Sequence, residues 1–265
     1  MTDNLDDSKA PLMEHLIELR TRLMWSIAAL IICSVLGFVF ADYVFNFLTQ
    51  PLLKAFRATG THDPKLIYTH LTGAFATKLK LAFFTGIFIA FPIIANQVWK
   101  FVAPGLYKNE KNAALPFLIA TPVLFTCGAA LCYYVVMPNA FKFFLSFQKT
   151  SSALAISQEA LPDMGEYLGL VMQFILAFGF AFLLPVLLVL LVRAGLVKLE
   201  TLQNGRRYAI LIATVVAAVI TPPDALSMLS LAIPLVLLYE ISILVLRFTA
   251  AKPAPTVDTT PTIVE

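Results

Sequence analysis

The sequence predicts an all-α integral membrane protein built from six transmembrane helices. The chain has 265 residues, of which 59% are hydrophobic and 13% charged, whereas a soluble domain is about 25% charged. Its long apolar runs are continuous rather than alternating, which argues against the strands of a membrane barrel. The connections are too short for a separate soluble domain, so we expect a single helical bundle.

Six runs without Asp, Glu, Lys or Arg mark the spans. Four reach the roughly 20 residues that a transmembrane helix needs, namely Leu23–Ala41, Leu81–Trp99, Asn112–Phe141 and Tyr167–Val192. The last two, Tyr208–Pro223 and Ala225–Tyr239, are shorter. We expect them to form a short pair that thins the bilayer or packs against partner helices. The alternative is that the sixth helix passes Glu240 and runs on to Leu246.

The chain divides into a cytoplasmic N-terminal segment (1–22), the bundle (23–248) and a tail (249–265). Leucines recur at helical spacing within residues 11–23, which predicts an amphipathic helix. On its polar face, Glu18 and Arg22 form an i, i+4 pair, for which a solvated surface is the simplest interpretation. The tail is rich in Pro and Thr and is predicted to be disordered.

Two long connections carry apolar stretches of their own. They are residues 42–80 and 137–166. Exposed apolar patches usually mark contacts, so we expect short interfacial helices that form a cap over one end of the bundle. Flexible loops are the alternative.

The positions of Lys and Arg predict the orientation. With both termini, the loop 100–111 and the loop 193–207 on one side, that side holds 12 of the 19 basic residues. Basic residues accumulate in cytoplasmic loops. We therefore expect both termini in the cytoplasm and the two long connections outside.

The sequence contains no pattern typical of a catalytic, metal or nucleotide site. It has no HExxH, no GxSxG and no glycine-rich phosphate loop, so we expect neither an enzyme nor a cofactor. The four long spans contain no charged side chain, which disfavours a proton or ion carrier. Gln173 is the clearest polar residue in a span, and we expect it to be buried, either as an interhelical hydrogen-bond donor or in a membrane pocket.

The loop Phe101–Glu110 carries more chemistry than a turn between spans requires. Its Glu110 and the Glu18 of the amphipathic helix are both expected at the cytoplasmic rim, where Phe101, Pro104 and Tyr107 supply an apolar, rigid frame. Carboxylates bind guanidinium through bidentate, charge-assisted hydrogen bonds. We therefore expect a partner that carries arginines next to an apolar segment.

Six separate motifs resemble those of the TatC family, the multispanning subunit of the twin-arginine protein translocase. The resemblance covers residues 12–248, nearly the whole chain. The motifs are HLIELR (15–20), QPL (50–52), FPIIANQVWKFVAPGLYKNE (91–110), YYVVMP (133–138), AFGFAFLLPV (177–186) and TPPD (221–224).

The resemblance implies a receptor in the bacterial inner membrane that binds the twin-arginine signal peptides of folded proteins. Glu18 and Glu110 match the acidic residues of that recognition, and Leu19, Arg20, Phe101 and Pro104 match the positions around them. The resemblance also implies an oligomeric complex with the single-span subunits TatA and TatB, docked on the fifth and sixth helices. It implies the proton-motive force as energy source and no nucleic-acid partner.

The resemblance assigns further residues to the outer side and shows one departure. Pro51, Tyr133 and Asp224 match outer positions that the family needs for activity. Leu183 stands where the family often carries a buried Glu, and Gln173 is the candidate to supply a polar group instead. Two other functions remain open from the residues alone, a small-molecule secondary transporter and a structural scaffold.

Overall fold

The computed structural model describes residues 6–58, 65–106, 115–147, 161–193, 195–221 and 224–250. Within these ranges every regular element is helical, which confirms the all-α class. In chain order the helices are α1 (Asp6–Val39), α2 (Ala41–Ala58), α3 (Gly73–Leu106), α4 (Leu115–Leu131), α5 (Met137–Leu145), α6 (Met164–Ala181), α7 (Leu184–Arg193), α8 (Leu199–Asn204), α9 (Arg206–Ile220) and α10 (Ala225–Ala250), and a π-helical turn, Cys132–Val136, joins α4 to α5. Tyr107, Glu110, the Pro222-Pro223 pair and the tail from 251 lie outside these ranges.

Five stretches of the described chain are long and apolar enough to cross a membrane. They are His15–Val39, Gly73–Val102, Phe117–Leu145, Met164–Arg193 and Ser227–Phe248. They correspond to the first four predicted spans and to the sixth. The predicted fifth span is α9, whose 15 residues cover about 22 Å, less than a hydrocarbon core of about 30 Å. Its crossing of a membrane stays a prediction.

The predicted shortness of the sixth helix is wrong. α10 has 26 residues and continues past Glu240 to Ala250, beyond the end point of the alternative. Glu240 Oε2 lies 3.1 Å from Arg206 Nη2 at the start of α9. Because an ion pair and partial exposure let an apolar helix continue through a carboxylate, counting charge-free residues ended this helix too early.

α1 is one uninterrupted helix that carries both the N-terminal segment and the first span. It packs against α3 at two glycines. A Cβ atom on Gly37 would lie 2.5 Å from the carbonyl oxygen of Ala82, and one on Gly86 would overlap Ser34. Small residues at such crossings allow the two backbones to approach closely. The antiparallel contact brings the N-terminal part of α1 alongside the C-terminal end of α3.

The predicted loop after the second span begins as a helix. α3 continues through Phe101 to Leu106, with Pro104 in its last turn. Pro104 lacks only the N–H that would bond the carbonyl of Lys100, so a single helical hydrogen bond is lost near the helix end. The Phe101 ring stacks on His15 of α1 at a centroid distance of 4.3 Å. This contact ties the end of α3 to α1 and stabilises the extension.

Both long connections contain a helix, and the two helices pack against each other. Leu48 and Phe56 of α2 and Met137 and Phe141 of α5 are buried in one core together with Phe174 of α6. This layer lies at the end of the bundle opposite the start of α1. Its position on the outer side of a membrane stays a prediction.

A polar clasp joins the chain before α3 to the start of α6. Asp163 is the N-cap of α6, and its Oδ1 accepts hydrogen bonds from the N–H groups of Gly165 (2.8 Å) and Glu166 (3.0 Å). Its Oδ2 accepts from the N–H (3.0 Å) and the hydroxyl (2.9 Å) of Thr69. A parallel bridge pairs Ile67 with Asp163. One carboxylate therefore caps a helix and holds a connection that is 94 residues away in sequence.

Hydrogen bonds to the ionised carboxylate, first from the backbone of Glu166 and then from Thr69, hold the pKa of Asp163 below its usual value. The stability that the clasp contributes is therefore complete above the unfolded-state pKa of about 3.9. It is lost as the pH falls through the lower folded-state pKa.

We expect Asp163→Ala to lower the thermal unfolding midpoint in detergent micelles at neutral pH, because it removes the cap and the clasp together. The difference from the unsubstituted chain should shrink below about pH 4, where the carboxylate takes up a proton. Asp163→Asn keeps one oxygen and should give a smaller loss. A difference that stayed constant from pH 7 to pH 3 would contradict this account.

Candidate functional site

Glu18 lies on the polar face of α1, where an arginine of the same helix already binds it. Arg22 Nε donates to Glu18 Oε1 at 2.9 Å, and Arg22 Nη2 makes a second, short contact to the same oxygen. The Glu18 side chain is 35% exposed and that of Arg22 23%. The expected i, i+4 pair is thus present, and the second oxygen of Glu18 is free of Arg22.

His15 connects this carboxylate to the end of α3. Its Nδ1 lies 3.9 Å from Glu18 Oε2, and its ring stacks on Phe101 with an angle of 17° between the planes. Helical spacing places His15 one turn before Glu18 on the same face. The imidazole therefore lies between an acidic group on α1 and an aromatic group on α3.

A crevice of about 440 Å³ opens beside the Glu18–Arg22 pair. It is lined by Glu18, Thr21, Arg22 and Trp25 of α1 and by Gln97 of α3. Its chemistry combines a carboxylate, an amide and an indole face, which are the groups that bind a guanidinium by charge, hydrogen bonding and cation–π contact. We call this crevice and the His15–Phe101 stack beside it the rim site.

The structure brings some of the predicted residues to the rim site and leaves others apart. Glu18 and Phe101 meet through His15, and Leu19 and Arg20 are exposed on the same helix end. Pro104 lies in the last turn of α3. Glu110 lies outside the described residues, so its pairing with Glu18 stays a prediction.

Sequence reasoning missed four residues of the rim site, His15, Thr21, Trp25 and Gln97. His15 enters the sequence analysis only as the first residue of the HLIELR motif, although its spacing from Glu18 places both on one helix face. Gln97 interrupts an apolar run and could have been noticed as a polar group inside a span. No pattern in the sequence pairs Trp25 with Gln97, because only the packing of α1 on α3 brings them together.

At the opposite end of the bundle, Pro51 and Tyr133 act on the same backbone carbonyl: one removes its donor and the other supplies a new one. Pro51 lies inside α2 and has no N–H to bond the carbonyl of Phe47, four residues earlier. The hydroxyl of Tyr133, a buried residue, donates to that carbonyl at 2.7 Å. The Tyr133 ring also stacks on the Phe47 ring at 4.3 Å.

Tyr167 makes the same kind of contact one residue further along α2. Its hydroxyl donates to the Leu48 carbonyl at 2.8 Å across 119 positions of sequence. The helix that Pro51 weakens is thereby held by one hydroxyl next to α4 and another from α6. Pro51 and Tyr133, predicted separately, form one structural unit with Tyr167.

Asp224 caps α10 at the turn after α9. Its Oδ1 accepts from the N–H of Ser227 at 2.7 Å. Its Oδ2 and the Ser227 hydroxyl are buried and have no hydrogen-bond partner within the described part of the chain. Its predicted functional role on the outer side is not tested by this geometry.

Gln173 is exposed rather than buried, which corrects the expectation. Its Nε2 donates to the Ile220 carbonyl at 2.8 Å, in the last turn of α9, where helix carbonyls lack intrahelical partners. The residue is thus an interhelical hydrogen-bond donor, and its role in a membrane pocket stays a prediction.

Leu183 lies at the break between α6 and α7, two residues before Pro185. It packs against the buried cluster of Phe91, Ala95 and Phe125. The surroundings of this position are therefore as apolar as the residue itself.

Comparison with known proteins gives a consistent family. The model of the family Sec-independent protein translocase protein (TatC) matches residues 14–234. The protein of that name from Magnetococcus marinus is 50% identical over 241 residues, which cover 91% of this chain and 85% of the relative. The one from Rickettsia prowazekii is 44% identical over 235 residues, which cover 89% and 92%.

Solved structures give the same result. A crystal structure of the twin arginine translocase receptor TatC aligns with a TM-score of 0.76 at 38% identity, covering 87% of this chain and 98% of the other. A second crystal structure of that receptor aligns with a TM-score of 0.76 at 37% identity, covering 89% and 99%.

We expect Tyr133→Phe to lower the free energy of unfolding by about 1–3 kcal/mol, because the Phe47 carbonyl loses its donor in apolar surroundings. In a Pro51→Ala background residue 51 regains an N–H that can bond this carbonyl, so the same substitution should cost much less. The neighbouring Tyr134, which is 65% exposed, provides the control Tyr134→Phe. Chemical unfolding in micelles measures all four variants, and an equal loss in both backgrounds would refute the pairing.

Proposed function

This chain belongs to the TatC family of Sec-independent protein translocase components, and from that premise we propose that its rim site binds the twin-arginine signal peptides of folded precursors. The site is on the cytoplasmic face of the bacterial inner membrane, with both termini in the cytoplasm and the α2–α5 layer outside. The chain acts as a receptor within a protein-export complex and carries out no chemical step.

The observation that carries this proposal is that Glu18 already binds a guanidinium. Its contacts to Nε and Nη2 of Arg22 show that this carboxylate accepts a guanidinium through two N–H donors, which here both reach Oε1. Glu18 Oε2 retains lone pairs for a further donor, since both donors of Arg22 reach Oε1 and His15 Nδ1 is 3.9 Å from Oε2. Glu110, at the end of the segment that follows α3, supplies the second carboxylate for the second arginine.

Apolar surface beside the carboxylate favours a signal peptide, rather than a single free arginine, as the ligand of the rim site. Leu16 and Ile17 are 58% and 61% exposed, and Leu19 lies next to Glu18. A peptide that carries arginines before an apolar segment can pair its charges with Glu18 and Glu110 and cover these side chains. Phe101 lies on the α3 side of the same surface, and Pro104 follows it in the last turn of that helix.

The fifth helix supports assembly with the single-span subunits TatA and TatB. α9 is short and exposes apolar side chains along one side, among them Leu211, Val215 and Val219. A partner helix that packs there would cover these apolar side chains and lower the cost of placing so short a helix in the bilayer.

We expect Glu18→Gln to weaken binding of a fluorescent peptide with an Arg-Arg pair before an apolar segment by about tenfold or more, because a charge-assisted hydrogen bond is lost. Fluorescence anisotropy with the full chain in nanodiscs measures this loss. Glu200→Gln removes another exposed carboxylate, at the start of α8, and should leave binding unchanged. Unweakened binding by the Glu18→Ala/Glu110→Ala double variant would rule out the proposal.

The predicted role of Glu110 has its own test. A photo-crosslinking amino acid placed at position 110 should capture the signal peptide of a twin-arginine precursor, and capture should fall when the two arginines are replaced by alanine. We expect Glu110→Lys to abolish peptide binding while circular dichroism stays unchanged, because like charges then face each other. Capture that did not depend on the arginines would contradict the assignment.

A further inference from the structure

We propose that Arg22 is a resident competitor for the rim site, so that an incoming arginine binds Glu18 by displacing an arginine of the same chain. This inference rests on the proposed function and specifies how that site is regulated. It starts from the contacts of Arg22, which sequence reasoning assigned to an ordinary surface pair.

The geometry makes Arg22 and a peptide arginine mutually exclusive on Glu18 Oε1. Both donors from Arg22 converge on that single oxygen. A second guanidinium that binds the carboxylate in the bidentate, side-on manner needs both oxygens, one N–H to each. It therefore cannot reach full pairing while Arg22 stays in place.

The crevice gives the displaced side chain somewhere to go. Arg22, Trp25 and Gln97 line the same space of about 440 Å³ beside Glu18. Arg22 can swing away from Glu18 along the Trp25 ring, whose face attracts a cation, or toward the amide oxygen of Gln97. The exchange thus replaces one guanidinium on Glu18 by another, and Arg22 trades its counter-charge for a neutral ring or amide.

Because one guanidinium replaces another on Glu18, the exchange bears on the choice between arginine and lysine peptides. A peptide arginine restores both hydrogen bonds that Arg22 gives up. A peptide lysine offers a compact ammonium that cannot match the planar fork, so it competes poorly against the resident guanidinium. Because Arg22 must leave before either residue can pair fully with Glu18, it lowers the affinity for arginine and lysine peptides by the same factor, and the preference for arginine comes from the fit of its fork to the carboxylate.

The test uses the full chain in nanodiscs with two fluorescent peptides that differ only in an Arg-Arg or a Lys-Lys pair before the apolar segment. Arg22→Gln should bind the Arg-Arg peptide about two- to fivefold more tightly, the range that corresponds to one exposed ion pair. The Lys-Lys peptide should gain by no more than the same factor, so that the preference for arginine persists. Lys100→Gln removes one positive charge near Phe101 and should change neither affinity beyond a small uniform increase.

The outcomes separate the inference from the proposed function. If Glu18→Gln weakens binding and Arg22→Gln leaves it unchanged or weaker, the competitor role is overturned and the receptor function stands. If Glu18→Gln binds both peptides as the unsubstituted chain does, both fall together. In a Glu18→Gln background the gain from Arg22→Gln should disappear. Should Arg22→Gln fail to fold by circular dichroism, Arg22→Lys keeps the charge without the fork and should still bind the Arg-Arg peptide more tightly.

Discussion

The structure depends on supplying donors to backbone carbonyls that cannot bond within their own helix. In an apolar bundle no water replaces a missing partner, so each such carbonyl must be served by a side chain. Tyr133 donates to the Phe47 carbonyl, which Pro51 leaves without an N–H, and Gln173 donates to the Ile220 carbonyl at the end of α9. Tyr167 adds a hydrogen bond to the neighbouring Leu48 carbonyl. These three hydrogen bonds each join different helices, so satisfying the backbone also fixes the arrangement of α2, α6 and α9.

Charged groups are arranged by the opposite rule, since they lie where they can exchange partners. The Glu18 and Arg22 side chains are both partly exposed, and the Arg206–Glu240 pair, also partly exposed, joins the start of α9 to the interior of α10. An ion pair in such a position contributes only about 0–1 kcal/mol, which makes it replaceable. The proposed exchange of a peptide arginine for Arg22 needs a carboxylate that is held this weakly.

A leucine at position 183, where the resemblance led us to expect a buried Glu, fits its surroundings. A carboxylate there would face Phe91 and Phe125 and would need a donor or a partner charge to stay ionised. Leucine removes that requirement. The polar contact that Gln173 makes ten residues earlier serves α9 instead of this cluster, so the two positions have separate structural roles.

The sequence by itself determined the all-α class, the positions of the long spans, the Glu18–Arg22 pair and the family, because continuous apolar runs, helical spacing and linear motifs are local properties. It ended the sixth helix at Glu240 and began a loop at Phe101, because the sequence does not show the contacts that allow a helix to continue through a charged residue or a proline. Only the tertiary structure placed Arg206 against Glu240, His15 between Glu18 and Phe101, and Tyr133 on the carbonyl that Pro51 leaves free. Each of these placements depends on a contact between residues that are distant in sequence. A local sequence pattern cannot predict such a contact, because only the packing of the helices brings the two residues together.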